Sequence, residues 1–267
     1  MSDHTITSPI IHSDEPPLLS VRGLTVGFGE RTIIENLDLD VMRGEILGIV
    51  GASGTGKSVL LRSILGLIPK RAGAFIIFGN DMEKMSRAEQ KRIERKVGVL
   101  FQHGALFSSL TVMQNIQVPM REYYSLPQRL MDELAISKIE LVGLPPDAAH
   151  KYPSELSGGM IKRAAMARAL ALDPEIVLLD EPTSGLDPIS AEEFDDLIST
   201  LRTTLGLTVF MVTHDLDSLN DACDRIAVLA ERRVLVSGTI EQMRSNDHPW
   251  VKQYFTGKRA MRQGNRN

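Results

Sequence analysis

The chain has 267 residues, 43% of them hydrophobic and 24% charged, which are the proportions of a folded domain and exclude disorder over most of the length. Its net charge is −4, so no basic excess argues for a nucleic-acid partner, and its single cysteine, Cys223, excludes an internal disulfide or a cysteine metal cluster. Aliphatic runs such as Ile176-Val177-Leu178-Leu179 fall far short of the roughly 20 apolar residues that span a bilayer, so the expectation is a soluble, cytoplasmic α/β protein.

Residues 1–17 carry Ser, Thr, Pro and acidic residues without periodicity; they read as a mobile leader and lack the apolar segment of a secretory signal. Strand-like patterning starts at Leu18, and Leu37, Leu39 and Val41 alternate with Asp38 and Asp40, the period of a strand with one buried face. Residues 46–50 form an apolar run that enters a glycine-rich turn, and 57–67 then have helical spacing. Further strands are expected at 75–78 and 97–101. From about 111 to 152 the Leu and Ile residues recur at helical spacings around Pro119, Pro127, Pro145 and Pro146, which predicts a small helical subdomain. Beyond it, helices starting at Gly158, Ser190 and Asp215 alternate with strands at 176–180, 208–213 and 225–230. That alternation predicts a mainly parallel sheet flanked by helices. The stretch from Lys258, with Arg259, Arg262 and Arg266, reads as a frayed end.

Gly51-Ala52-Ser53-Gly54-Thr55-Gly56-Lys57-Ser58 fits the phosphate-loop pattern G-x-x-x-x-G-K-[ST], between an expected strand and an expected helix. Glycines let the backbone curl so that N–H groups converge on a phosphate, and the helix adds its positive dipole end. Lys57 would reach the β- and γ-phosphates, and the Ser58 hydroxyl would ligate Mg²⁺. An ordinary glycine-rich strand–helix turn would not explain the adjacent Lys-Ser. Asp180 and Glu181 follow a buried apolar strand, where an unpaired carboxylate is costly. In isolation they are equally well explained as turn or cap residues. In a chain with a phosphate loop, Asp180 suits Mg²⁺ or its waters and Glu181 suits an attacking water.

Between these two motifs lies Leu156-Ser157-Gly158-Gly159-Met160, and here the chain resembles the ATP-binding subunits of ABC transporters over about residues 18–243. The resemblance implies an α/β phosphate-loop ATPase domain at 18–246. It would have a mainly parallel core sheet, an N-terminal antiparallel β part and a helical subdomain at about 103–172, with 247–267 as a C-terminal tail. It implies ATP and Mg²⁺ as ligands, with Gln102 sensing Mg²⁺ and attacking water, and His214 contacting the γ-phosphate. Ser157, Gly158 and Gly159 would touch the nucleotide of a second subunit in a homodimer. Ser184-Gly185-Leu186-Asp187 resembles the loop that crosses the dimer interface. Phe28 matches the aromatic that stacks on adenine, although an aromatic beside glycines also serves core packing.

Met160 stands where most of the family has glutamine, and Gly104-Ala105-Leu106-Phe107 follows Gln102. Both features resemble the Mla/Mce (Mkl) lipid-transport ATPases. That likeness implies an integral membrane permease as partner at the cytoplasmic face of the inner membrane. A membrane-anchored Mce-domain protein and a small regulatory subunit would accompany it, and phospholipid or another hydrophobic molecule would be the substrate. An importer ATPase for amino acids or another polar solute shares every catalytic motif. A soluble ABC protein of DNA repair or translation would more often show a second cassette, a coiled-coil insertion or a basic excess.

Overall fold

The computed structural model describes residues 15–256. The expected leader up to residue 14 and the basic stretch from Lys258 lie outside the described residues. The elements follow in chain order: β1 (Leu19–Phe28), β2 (Arg31–Val41), β3 (Ile46–Val50), α1 (Lys57–Ile64), β4 (Ala72–Ile77), β5 (Asn80–Asp81), α2 (Arg87–Glu94), β6 (Val97–Leu100), α3 (Val112–Tyr123) and α4 (Gln128–Leu141). Two 3₁₀ turns, Pro146–His150 and Pro153–Glu155, lead to α5 (Gly158–Ala169). Then come β7 (Ile176–Asp180), α6 (Pro188–Leu205), β8 (Thr208–Val212), α7 (Leu216–Asp221), β9 (Arg225–Ala230), β10 (Arg233–Gly238), α8 (Ile240–Arg244) and α9 (Pro249–Thr256).

Two sheets result. The first is antiparallel, in the order β2-β1-β4-β5; the second runs β10-β9-β3-β8-β7-β6 and is parallel except for β10 against β9. In β2 the expected alternation is realised: Leu37, Leu39 and Val41 are buried, while the opposite face is polar. On that face Asp38 accepts from the Gly23 N–H at 2.7 Å, and Asp40 accepts from the Ser20 hydroxyl at 2.6 Å and pairs with Arg22 at 2.7 Å.

Every residue of β3, β7 and β8 is buried, as a parallel sheet covered on both faces requires. Alternate side chains enter opposite cores. Leu47, Ile49, Ile176, Leu178, Phe210 and Val212 pack toward α1 and the antiparallel sheet. Ile46, Val177, Leu179, Val209 and Met211 pack toward α5, α6 and the helical region.

The structure departs from the sequence expectations at several ends. α1 stops at Ile64 rather than 67, because Gly66 takes a left-handed φ of 70° and the Leu67 N–H turns back to the Arg62 carbonyl at 2.9 Å. β4 begins earlier, at Ala72, and ends before Phe78, whose φ is +51°. Residues 249–256, read as tail, form α9. Its Val251 and Phe255 are buried beside Val50, Leu219 and Met243.

A buried polar chain joins α6 and α7. Asp195 is 8% exposed; its Oδ2 accepts from the Ser218 hydroxyl at 2.6 Å, and the same hydroxyl lies 3.4 Å from that of Thr183. Oδ1 has no hydrogen-bond partner among the described residues. Burial pushes the Asp195 carboxyl up to about 7; the Ser218 hydrogen bond opposes the shift, and the carboxylates of Asp215, Asp221 and Asp196 add to it. A carboxyl whose folded-state pKa is raised stabilises the fold fully below its unfolded value and loses that contribution as pH rises through about 7. Asp195→Asn should therefore flatten the decline of the melting temperature between about pH 4 and pH 7 and leave the variant more stable at the upper end by roughly 2 kcal/mol. Identical pH slopes in variant and wild type would contradict this.

Candidate nucleotide and hydrolysis site

The loop at 51–58 joins the buried strand β3 to α1. Gly54 and Gly56 take φ values of 80° and 103°, in the region that favours glycine. A Cβ on Gly51 would lie 2.3 Å from the Leu229 carbonyl oxygen, so the loop packs against β9 at a distance only glycine permits. Lys57 folds across the loop and donates to the carbonyls of Gly51 at 2.8 Å and Ala52 at 3.1 Å. Burial lowers its pKa, and the carboxylates of Glu181 and Asp180 act in the opposite sense. Ala52, Ser53 and Gly54 are exposed, and the Thr55 hydroxyl donates to the Ala52 carbonyl at 2.9 Å.

The Ser58 hydroxyl donates to Asp180 Oδ1 at 3.2 Å, tying the loop to the end of β7. Asp180 is 3% exposed, and burial raises its pKa. A desolvated carboxylate partnered by a hydroxyl beside a phosphate loop suits a hard cation. Among the described residues no group of three His, Cys, Asp or Glu side chains is placed to hold a metal alone. A cation here would thus take Ser58, Asp180 and phosphate oxygens.

Glu181 has the most constrained environment of the site. Its φ is +48°, unusual for a non-glycine residue. Its N–H donates to the Val212 carbonyl of β8 at 2.8 Å, and its own carbonyl accepts from Lys162 at 3.1 Å. The carboxylate accepts from Gln102 Nε2 at 2.8 Å, and its other oxygen lies 3.3 Å from His214 Nδ1. Gln102, Glu181 and His214 follow β6, β7 and β8, which are neighbours in the parallel sheet, so three carboxyl ends converge. Lys162 in α5 also donates to the Gln102 carbonyl, and burial pulls its ammonium down to about 8 against the pull of Glu181 and Asp180. Sequence reasoning passed over Lys162. The available signal was a lysine sharing a helix face with Ala165, Met166 and Ala169, all buried.

Ser157 caps α5 by accepting from the Met160 N–H at 3.3 Å, and Ser157 and Gly158 are exposed. The helix start adjoins the 184–190 loop: a Cβ on Gly158 would sit 3.7 Å from Leu186, and one on Gly159 3.7 Å from Ser190. Asp187 caps α6, accepting from the Ser190 N–H at 3.1 Å and the Ser190 hydroxyl at 2.6 Å. The structure thus gathers the expected residues into two groups. Lys57, Ser58, Gln102, Asp180, Glu181 and His214 form one, and Ser157, Gly158, Gly159 and Asp187 the other; among the described residues no hydrogen bond or ion pair joins the two directly. Phe28, Cα partner of Arg31 at the β1–β2 turn, is 54% exposed and is not a core residue. Arg31 itself lines a cavity of about 230 Å³ with Gly54, Thr55 and Arg232.

Residues 34–184 match the family model for the ABC transporter. The intermembrane phospholipid transport system ATP-binding protein MlaF of Haemophilus influenzae is 39% identical, over 90% of this chain and 91% of that protein. The probable ribonucleotide transport ATP-binding protein mkl of Mycobacterium leprae is also 39% identical, over 90% of this chain and 69% of that protein. Among solved structures, the ATP-binding cassette MJ0796, a dimer in a post-hydrolysis state bound to ADP and Pi, aligns with a TM-score of 0.75 and 30% identity, covering 83% of this chain and 98% of that one. The cbiO1 protein from Clostridium perfringens, part of the ABC transporter complex cbiONQ, aligns with a TM-score of 0.77 and 27% identity, covering 94% and 95%. The matched segment contains the phosphate loop, Gln102, the Ser157–Gly159 turn, Asp180 and Glu181, and with this similarity along nine-tenths of its length the chain belongs to the ABC transporter family, as one of its ATP-binding domains.

Proposed function

We propose that this chain is the ATP-hydrolysing subunit of a transporter that moves phospholipid or another hydrophobic substrate across or between membranes. It acts as a homodimer beneath an integral permease, at the cytoplasmic face of the inner membrane. The observation that carries the enzymatic reading is the Glu181 carboxylate held between Gln102 and His214 beside the phosphate loop. The lipid reading is supported by the MlaF relative and by the segment after Gln102. The mkl relative, named for ribonucleotide transport, favours a polar solute as the second reading. Among the described residues no helix is long and apolar enough to cross a membrane. A membrane-anchored Mce-domain protein and a small regulatory subunit complete the proposed assembly, without nucleic acid.

The loop N–H groups of 51–58, Lys57 and the N-terminus of α1 cradle the β- and γ-phosphates, and Phe28 stacks on adenine. Ser58, Asp180 and Gln102 would hold Mg²⁺, which would offset phosphate charge. Glu181 accepts a proton from water as the water oxygen bonds to the γ-phosphorus and the bond to the β,γ-bridging oxygen breaks, leaving ADP and Pi. Gln102 and His214 fix the two carboxylate oxygens for that transfer. Ser157 and the N–H groups of Gly158 and Gly159 lie in a separate group from the phosphate loop. In this reading they close the site on the second protomer, with Asp187 at the interface. The working unit is the domain at 18–246 with its helical subdomain at about 103–172, and α9 extends its packing.

The segment after Gln102 supplies the coupling surface. Asn115 is fully buried and its side chain bonds both the N–H and the carbonyl of Phe107; Arg168 donates to the carbonyls of Gly104 and Ala105. Leu106 packs into the core, whereas Phe107 is 53% exposed and faces outward. Phe107→Glu should leave the chain folded and reduce its pull-down of the permease by about tenfold or more, since interface aromatics carry much of such binding. Undiminished capture would remove Phe107 from the interface.

Glu181→Gln should retain ATP binding and lower steady-state hydrolysis about 100-fold or more, because it deletes the proton acceptor. Comparable turnover in variant and wild type would exclude that role. Mixing chains carrying Lys57→Ala with chains carrying Ser157→Arg tests the shared site. Each mixed dimer keeps one intact pair of loop and turn, so hydrolysis should return on mixing. The absence of any rescue, with a specific rate independent of dilution, would contradict shared sites.

A further inference from the structure

Lys57, Gln102, Glu181 and His214 are held by contacts already described, with one exception. The His214 side chain is 62% exposed and, among the described residues, has Glu181 as its one polar partner, so its direction depends on how its backbone is fixed. On one side the Thr213 N–H donates to the Ile49 carbonyl at 3.2 Å; on the other the Asp215 N–H donates to the Thr213 hydroxyl at 3.1 Å. At His214 itself the carbonyl accepts from the Tyr254 hydroxyl of α9 at 2.9 Å. From this geometry we propose that Tyr254 is a positioning residue for ATP hydrolysis, tying α9 to the loop that sets the His214 imidazole against Glu181. The inference rests on the catalytic reading of His214 given above.

Three observations support it. Tyr254 stacks on Trp250, with centroids 4.9 Å apart and planes 15° from parallel, and meets Phe255 edge-on at 5.0 Å, so its ring is oriented from both sides. α9 is seated by Val251 and Phe255 against Val50, the last residue before the phosphate loop, and Leu219 of α7, the helix that follows His214. The hydroxyl thus reaches His214 from a foundation shared with the nucleotide loop. Burial, with the Asp215 carboxylate adding to it, pushes the Tyr254 phenol up to about 12, so it remains a donor throughout the neutral range. A ring needed only for packing would not require the hydroxyl.

Tyr254→Phe in the full-length chain removes one oxygen and keeps the ring. The expected result is a kcat for ATP lower by about 3- to 10-fold, the factor of one neutral hydrogen bond, with KM and melting temperature near wild type. The same substitution placed in His214→Ala should change kcat no further, because the residue through which Tyr254 acts is gone. An unchanged kcat in Tyr254→Phe, or an equal loss in both backgrounds, would overturn the inference while leaving His214 in its role. A His214→Ala variant with wild-type turnover would instead remove His214 from catalysis and the inference with it.

Discussion

Glu181 stands in a left-handed backbone conformation immediately before Pro182, and both of its main-chain groups and both carboxylate oxygens have partners on other elements. Such a conformation costs a non-glycine residue on the order of 1–3 kcal/mol and persists only where the surroundings fix it. Here β8 takes the N–H, Lys162 of α5 fills the carbonyl, and Gln102 and His214 hold the side chain. The turn swings the carboxylate out of the line of β7, where Asp180 ends the strand, so two adjacent acidic residues serve different neighbours. Asp180 faces the Ser58 hydroxyl and the loop, and Glu181 faces the residues that follow the flanking strands.

Charge reinforces this geometry. Two lysines, Lys57 and Lys162, lie buried near two carboxylates. Burial disfavours the charges of Lys57, Lys162 and Asp180; the two carboxylates draw the lysines the other way, and the Ser58 hydroxyl with the positive charges of Arg62 and Lys162 does so for Asp180. Lys57 donates to the loop's own carbonyls, which holds the ammonium against the start of the loop. Lys162 does the same for the carbonyls of Gln102 and Glu181, two residues that a strand order of β6-β7-β8 brings side by side.

The phosphate loop, the acidic pair and the Ser-Gly-Gly turn were legible because their chemistry is local: glycines where the backbone must curl, a hydroxyl and a lysine at fixed spacing. Gln102 and His214 were legible only through their order after expected strands, since a lone glutamine or histidine carries no signal. Lys162, Tyr254 and the Thr183–Ser218–Asp195 chain depend on packing between elements far apart in sequence, which no spacing rule encodes. The same reason hid α9: two apolar residues four apart, Val251 and Phe255, are too few to mark a helix, yet they complete a core begun by Val50. Phe107 and Leu106 were one apolar run in sequence. Asn115 and Arg168 separate them by fixing the loop so that one points inward and the other out.

α5 meets three regions along twelve residues, about 18 Å of helix. Its first turn offers Ser157 and Gly158 to the surface, its second places Lys162 on the carbonyls of Gln102 and Glu181, and its last holds the loop before Phe107 through Arg168. In the proposed dimer, pressure applied at Ser157 by a nucleotide on the neighbouring protomer would be passed along α5 both to Glu181 and to the loop before Phe107. In that reading each protomer would report its neighbour's occupancy to its own Glu181 and to the membrane partner in a single stroke, and α5 would be the mechanical link between paired sites and transport.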